Sequence, residues 1–255
     1  MEQEALRARL LDDFWVALDV VPRTGSTNAD LAEAARGGAP AGTVLVADVQ
    51  DAGRGRIGRS WTSPPGAGLL FSVLFRPTDV PTERWGWLPL LAGVATARAL
   101  PGVDARLKWP NDLLIGPQRK KAAGILAEAA GDAVVLGIGL NVTLGRDDLP
   151  PDRPDTTSLA IEGAPVTDRD ELLVAILGAL KDEYEFWRAS NGDAAASGLL
   201  ASYRERCDTL GREVRVEVPG GEPVQGRADD IDAEGRLVVG ATHVAAGDVI
   251  HVRPA

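Results

Sequence analysis

The chain holds 27 basic residues, yet only four are lysines, and Lys108, Lys120 and Lys121 fall within fourteen residues of one another. In a chain that otherwise uses arginine, those places call for an ammonium, a compact and strongly hydrated point charge. Chance clustering would give the same composition. A second basic group lies upstream in Gly53-Arg54-Gly55-Arg56-Ile57-Gly58-Arg59, with three arginines in six residues. Their mutual repulsion is relieved when an anion sits among them, and guanidinium forks match phosphate and carboxylate oxygens. Glycines let backbone N–H groups approach such a ligand. A solvated basic loop is the plain alternative, but the segment directly follows a buried strand in an acidic chain, which favours an anion clamp.

Residues 53–58 also spell G-x-G-x-x-G. The dinucleotide fingerprint needs its third glycine to open a helix and an acidic residue to close the next strand. Here the glycines run into Arg59-Ser60-Trp61-Thr62-Ser63-Pro64-Pro65-Gly66, which cannot start a helix, and Asp79 at the right spacing sits beside prolines. The kinase version fails as well, because no His-Arg-Asp or Asp-Phe-Gly follows.

Three further blocks carry chemistry. Lys108-Trp109-Pro110-Asn111-Asp112 makes an abrupt turn after a strand; Pro-Asn-Asp is ordinary turn chemistry, but it does not explain the Lys-Trp leading into it. Lys120-Lys121-Ala122-Ala123-Gly124 starts a strand with two ammonium groups and continues with small residues, which allow close approach. In Gly137-Ile138-Gly139 both glycines share one strand face and leave a slot there, or mark a bulge or close strand packing.

The elements that must position these blocks alternate. Short helices are expected over residues 5–12 and 29–36, and helical spacing covers residues 82–100, 168–190 and 193–206. Strands are expected over residues 14–21, 43–49, 68–75, 105–109, 113–115, 122–128 and 133–142, with residues 146–157 a Pro- and Asp-rich surface loop. From Gly211 onward, short alternating segments separated by Gly, Pro and Asp read as a small β-barrel of about 45 residues, too small for much independent stability. The order is α+β first and all-β second, with a boundary near Cys207.

The whole 255-residue chain, with 45% hydrophobic and 25% charged residues, has an ordinary globular composition. Its net charge of −10 argues against a nucleic-acid-coating role. No apolar run is long enough to span a membrane, and the acidic start lacks a signal peptide's basic region. One cysteine excludes an internal disulfide and, with two histidines, argues against zinc. A cytoplasmic location is expected.

Taken together and in order, Ser26-Thr27-Asn28, Gln50 through Trp61, Lys108 through Asp112, Lys121 through Leu126 and Gly137 through Asn141 resemble the biotin protein ligases. The resemblance is strong over residues 24–142. It continues weakly into the terminal barrel at Gly235-Arg236-Leu237 and the 247–253 segment. The barrel is expected to brace the ATP side and receive the carrier domain, with Arg215 and Arg253 as contributors. It implies a catalytic domain over residues 1–207, an α+β fold with a mixed or antiparallel sheet packed with helices, like the class II aminoacyl-tRNA synthetases. An SH3-like β-barrel over residues 208–255 would follow. It also implies a two-step reaction: biotin carboxylate attacks the α-phosphate of ATP to give biotinyl-5′-AMP and pyrophosphate. A lysine of a carboxylase's biotin carrier domain then attacks the mixed anhydride and releases AMP.

By the same resemblance Ser26, Thr27, Asn28 and Gln50 line the biotin pocket, with Gly53, Arg54, Gly55 and Arg56 closing over it. Lys121 holds the carboxylate or anhydride oxygens. Gly124, Gly137 and Gly139 form the slot and Trp61 an apolar wall, while Arg56, Arg59, Lys108, Asn111 and Asn141 face ATP. Catalytic roles fall to Lys121, Arg54, Arg56, Lys108 and Asp112. Magnesium is expected on the phosphates and waters, with no metal site of the protein's own. The first matched block begins by residue 26, so the DNA-binding domain of the repressor forms is not expected, nor is DNA as a partner. A monomer or weak homodimer is expected. Two alternatives stand beside this reading: a lipoate- or octanoyl-transferring relative, and a non-enzymatic module that holds biotinyl-AMP. A lid over residues 53–60, mobile without ligand, would shield the adenylate from water.

Overall fold

The computed structural model describes residues 1–252, so Arg253 lies outside the described residues. Seven strands, β1 (Ala17–Val21), β2 (Thr43–Ala47), β3 (Gly68–Phe75), β4 (Arg106–Lys108), β5 (Asp112–Ile115), β6 (Lys120–Ala130) and β7 (Ala133–Asn141), form one sheet in the order β1-β2-β3-β7-β6-β5-β4. Only β1 and β2 run parallel, joined through α2 (Thr27–Arg36); every other pairing is antiparallel. The sheet is therefore mixed, as expected.

Strand alternation gives the sheet two different faces. Along β7, Leu136, Ile138 and Leu140 enter the main core beneath α3 (Leu88–Arg98) and α4 (Arg169–Ala189). The intervening residues turn to the α2 face. There Val135 joins Leu31, Ala35, Leu74, Ala130 and Ala133 in a small satellite core, while Gly137 and Gly139 leave space. The free edge of β1 is blunted by α1 (Gln3–Leu10): Val20 N donates to Gln3 Oε1 at 2.7 Å and Arg7 Nε donates to the Leu18 carbonyl at 2.8 Å.

Three elements differ from the sequence expectation. Residues 14–16 are not strand, because Asp12 Oδ1 accepts from the amides of Phe14 and Trp15 and turns the chain first. The 82–100 segment divides into a 3₁₀ turn, Thr82–Trp87, and α3. The 193–206 helix starts only at Leu199, as α5 (Leu199–Arg206). Asp193 Oδ1 takes the amides of Ala195 and Ala196, and Gly198 sits at φ +81°.

The C-terminal part is an SH3-like, five-stranded antiparallel sheet in the order β11-β10-β9-β8-β12, built from β8 (Glu213–Glu217), β9 (Val224–Ile231), β10 (Leu237–Val239), β11 (Thr242–Val244) and β12 (Asp248–His251). Its apolar residues continue the main core without a break. Trp109 explains the residue pair before the Pro-Asn-Asp turn: its indole donates to the Gly235 carbonyl at 3.0 Å and its amide to Thr209 Oγ1 at 3.1 Å. Trp87 makes a parallel stitch to the Ala233 carbonyl at 2.7 Å. No helix among the described residues is long and apolar enough to cross a membrane.

Candidate active site

A cleft of about 1410 Å³ opens on the α2 face of the large sheet and is walled on its far side by β12. Of the site residues expected from the sequence, all the described ones line it except Gly53 and Arg215, the latter being turned to Glu217 at 2.6 Å on its own strand. Gly53 instead closes the base of the arginine loop. Its carbonyl accepts the Trp61 amide at 2.8 Å, and a side chain there would meet the Trp61 carbonyl at 2.3 Å.

The floor is the N-terminus of α2 pressed onto β3, β6 and β7. Ser26 caps the helix, its hydroxyl accepting from the Ala29 amide. Gln50 Oε1 accepts from the Thr27 amide at 2.8 Å and lies 3.1 Å from the Thr27 hydroxyl oxygen. Asn28 donates to the Leu126 carbonyl at 3.2 Å and to Glu128 Oε2 at 2.8 Å, with Ser72 Oγ 2.6 Å from its Oδ1. Asn28 can sit there because Gly137 has no side chain: a Cβ would lie 2.2 Å from Asn28 Oδ1. Gly139 and Gly124 make room for Trp61, whose ring would lie 2.6 Å and 3.0 Å from added Cβ atoms. The slot read from the glycines is thus shared with the protein's own Asn28 and Trp61. The Trp61 indole N–H is buried there without a hydrogen-bond partner among the described residues.

The arginine loop is a tight hairpin. Gly55 N donates to the Arg59 carbonyl at 2.7 Å and Arg59 N to the Arg56 carbonyl at 3.1 Å, around Ile57 at φ +53° and Gly58 at φ +70°. Two successive positive φ values are what a type I′ turn requires, and a β-branched residue is rare in that role. Arg54 leans on Glu128 at 3.3 Å. Arg56 reaches Asn111 Oδ1 at 3.4 Å, and burial lowers its guanidinium pKa without removing its charge. Arg59 crosses to the C-terminal sheet, where its fork engages both oxygens of Asp248. That hydrogen bond raises its pKa.

Lys121 Nζ lies 2.6 Å from Asp112 Oδ1 and 5.6 Å above the Trp61 ring. The ammonium approaches Asp112 away from hydrogen-bond alignment, so Oδ1 stays buried without a directed donor. β4 and β5 place Lys108 opposite Asp112, and the Lys108 ammonium has no ion-pair partner among the described residues. Asn111 donates to the Ile125 carbonyl at 3.2 Å, and Asn141 donates to the Thr157 carbonyl at 2.9 Å. The Asn141 contact pins the 153–157 stretch beside Lys121, whose own amide donates to Asp155 O at 2.7 Å. The Pro- and Asp-rich stretch is therefore a wall of the cleft as well as a surface loop, and Arg153 touches the hairpin at the Ser60 carbonyl.

Sequence reasoning passed over Ser72, Glu128, Asp208, Arg212, Asp248 and His251. Ser72 had a signal, as the one polar side chain in the apolar run of β3, and Glu128 is an acid within alanines. Burial, with Lys108 and Arg212 adding to it, pushes the His251 imidazole down to about 4.

A mixed sheet carrying a basic hairpin over paired glycines, closed by a small antiparallel module, defines a class. Residues 20–143 match the biotin/lipoate A/B protein ligase family and residues 209–252 match the biotin protein ligase C-terminal domain. The chain is 46% identical to the biotin–[acetyl-CoA-carboxylase] ligase of Mycobacterium tuberculosis, over 99% of its own length and 96% of that protein's. Identity to the bifunctional ligase/repressor BirA of Bacillus spizizenii is 34%, over 92% of this chain and 71% of that one. The biotin protein ligase of Aquifex aeolicus, solved with biotin and ATP, superposes with a TM-score of 0.77 at 27% identity, over 94% of this chain and all of that one. The chain belongs to the biotin protein ligase family.

Proposed function

We propose that the cleft takes biotin on its α2 floor and ATP toward Lys108, Asn111 and β12. It joins them as biotinyl-5′-AMP and transfers biotin to a lysine of a carboxylase's carrier domain. Residues 1–207 form the catalytic domain and residues 208–255 the second domain. One observation carries the reading: Lys121 Nζ stands between the glycine-backed floor and the arginine hairpin, where a carboxylate and an α-phosphate must meet. Both reactants are anions, and fixed cations offset their repulsion in a site that excludes water.

A magnesium ion borne on the phosphates would supply further charge neutralisation. The residues fit that arrangement. Asp208 and Asp248 are engaged by Arg212 and Arg59, and among the described residues no three acidic, His or Cys groups converge.

In the second step the acceptor lysine must be neutral to attack. At its ordinary pKa the neutral form lies roughly 4.6 kcal/mol uphill at pH 7. A carboxylate beside the entering amine relieves this by taking the proton, and Asp112 is the acid closest to Lys121. Asp112→Asn is then expected to slow carrier biotinylation while sparing biotin-dependent pyrophosphate exchange. Equal loss of both would instead assign Asp112 to holding Lys121.

Transfer of labelled biotin to a carrier domain, measured beside pyrophosphate exchange with biotin or lipoate, tests the whole reading. The floor favours biotin, because the Gln50 amide, with the Thr27 hydroxyl beside it, faces the cleft where a dithiolane or alkyl chain has nothing to bond. Exchange supported by lipoate and not biotin would overturn it, and adenylate formation without transfer would leave a sensing module.

A further inference from the structure

Three short contacts in the floor share two hydroxyl hydrogens. Ser72 Oγ lies 2.6 Å from Asn28 Oδ1 and 2.7 Å from Thr27 Oγ1, and Thr27 Oγ1 lies 3.1 Å from Gln50 Oε1. The amide orientations are fixed chemically. The Thr27 backbone N–H can only donate, so the Gln50 atom 2.8 Å from it is oxygen. The Leu126 carbonyl and the Glu128 carboxylate can only accept, so the Asn28 atom facing them is nitrogen.

Two hydroxyl oxygens 2.7 Å apart need a hydrogen between them, which excludes Ser72 donating to Asn28 while Thr27 donates to Gln50, and two arrangements remain. In one, Thr27 donates to Gln50 and Ser72 donates to Thr27, leaving Asn28 Oδ1 without a hydrogen. In the other, Ser72 donates to Asn28 and Thr27 donates to Ser72, leaving one lone pair of Gln50 Oε1 open. Asn28 is only 4% exposed, and Ser72 is its only hydroxyl donor, whereas Gln50 is half-buried and faces the cleft. Leaving the buried oxygen unpaired is the costlier choice, and the shorter contacts lie on the Ser72 side.

We infer that Ser72 is a positioning residue that sets these hydrogens so that Gln50 Oε1 is held open to an N–H of the bound ligand. Gln50 Nε2 donates to no protein acceptor among the described residues, so the same amide also offers a donor. The pair matches a cyclic urea, which carries N–H and C=O side by side. This inference rests on the assignment of biotin to the cleft and names what selects its head group.

Biotin affinity by calorimetry and the KM for ATP, measured on the full chain, test it. Ser72→Ala lets the Thr27 hydroxyl turn to Gln50. Biotin is expected to bind about tenfold more weakly, about 1.4 kcal/mol, with the KM for ATP unchanged. Ser72→Cys keeps a weaker donor toward Asn28 and should recover part of that loss. No recovery in Ser72→Cys, or equal weakening of biotin and ATP, would mean that Ser72 merely holds the floor together. Should Ser72→Ala not fold, neutron diffraction from the wild-type protein decides: deuterium directed from Ser72 to Asn28 supports the inference, and deuterium directed to Thr27 overturns it. A wild-type chain that binds no biotin removes both readings, whereas wild-type binding with Ser72→Ala unchanged removes only this one.

Discussion

Thr27, Asn28 and Ser72 in the floor are no more than 4% exposed, and they are held by Gln50 and by backbone and side-chain partners on β3 and β6. Across the cleft, the Arg54 and Arg59 side chains of the hairpin stay 47% and 55% exposed, and each leans on a single carboxylate. A buried, fully bonded surface is rigid and reads shape and hydrogen-bond pattern. An exposed hairpin with few apolar contacts opens at low cost and contributes charge where it closes. On the proposed function, selection of the ligand belongs to the floor, and activation and closure to the wall.

Lys121 stands where the two surfaces meet, and the largest effect is expected there. Lys121→Ala should slow biotin-dependent pyrophosphate exchange by ~10²–10³-fold, about 2.7–4 kcal/mol of transition-state stabilisation. Retained exchange would mean that the hairpin arginines suffice, and the division of labour just drawn would fail.

His251 is the exception on the wall side, half-buried near Lys108, Arg212 and Asp208, with Thr209 Oγ1 at 3.2 Å from Nε2. Its pKa falls from an ordinary 6.5 to about 4, so between those values the unfolded chain binds a proton that the folded chain refuses. Stability is full above pH 6.5 and is lost as pH falls through the window, by roughly 3 kcal/mol at most. Asp12, held at about 2 chiefly by its hydrogen bond from Lys181, adds its loss only below the usual carboxylate range. Urea midpoints from pH 7 to 4.5 should therefore fall in the wild type and flatten in His251→Asn. Parallel curves would show that the imidazole is protonated in the folded state.

The glycines allow the two surfaces to be compared within one strand. Gly137→Ala drives a Cβ against Asn28, which is anchored by Leu126, Glu128 and Ser72, and overpacking of that kind costs about 1–3 kcal/mol. Gly139→Ala meets Trp61, a half-buried residue at the foot of the hairpin, which can shift. The first change should lower the thermal midpoint, and the second should leave it within a degree or two and weaken biotin. Equal midpoints for the two would mean that the floor gives as readily as the wall.

What the sequence disclosed follows the same division. Blocks in which one residue type answers one demand were legible: the lysine pairs, the arginine hairpin, and glycines at alternate positions of β7. So was β3, which spans residues 68–75 as its apolar run suggests. The partners that restrain those residues were not. Asp248 meets Arg59 only because the C-terminal sheet folds back across 189 residues, and no local pattern encodes so distant a pairing. Ser72 could be seen as out of place in an apolar strand, but its contacts with Thr27 and Asn28 depend on how α2 lies on the sheet. The proline-rich stretch near Thr156 looked like an ordinary loop because its role comes from Asn141 and Lys121, which bind its backbone rather than its side chains.

The smallest effect should come from the Arg59–Asp248 contact, and it bears most directly on closure. Both side chains are partly exposed, at 55% and 31%, and a surface pair of this kind is worth about 0.2–1 kcal/mol. Asp248→Asn should barely move the thermal midpoint. It does release the one side-chain tether from the hairpin to the C-terminal sheet among the described residues, leaving the hairpin its own turn, Arg54–Glu128, Arg56–Asn111 and the Ser60 contact with Arg153. Proteolysis within residues 53–60 should then quicken in the ligand-free variant, and biotin plus ATP should suppress it in variant and wild type alike, because the phosphates replace the lost carboxylate among the arginines. Cleavage at the same rate with and without ligand would mean that the hairpin stands as rigidly as the floor, and that closure over the adenylate has to come from elsewhere in the cleft.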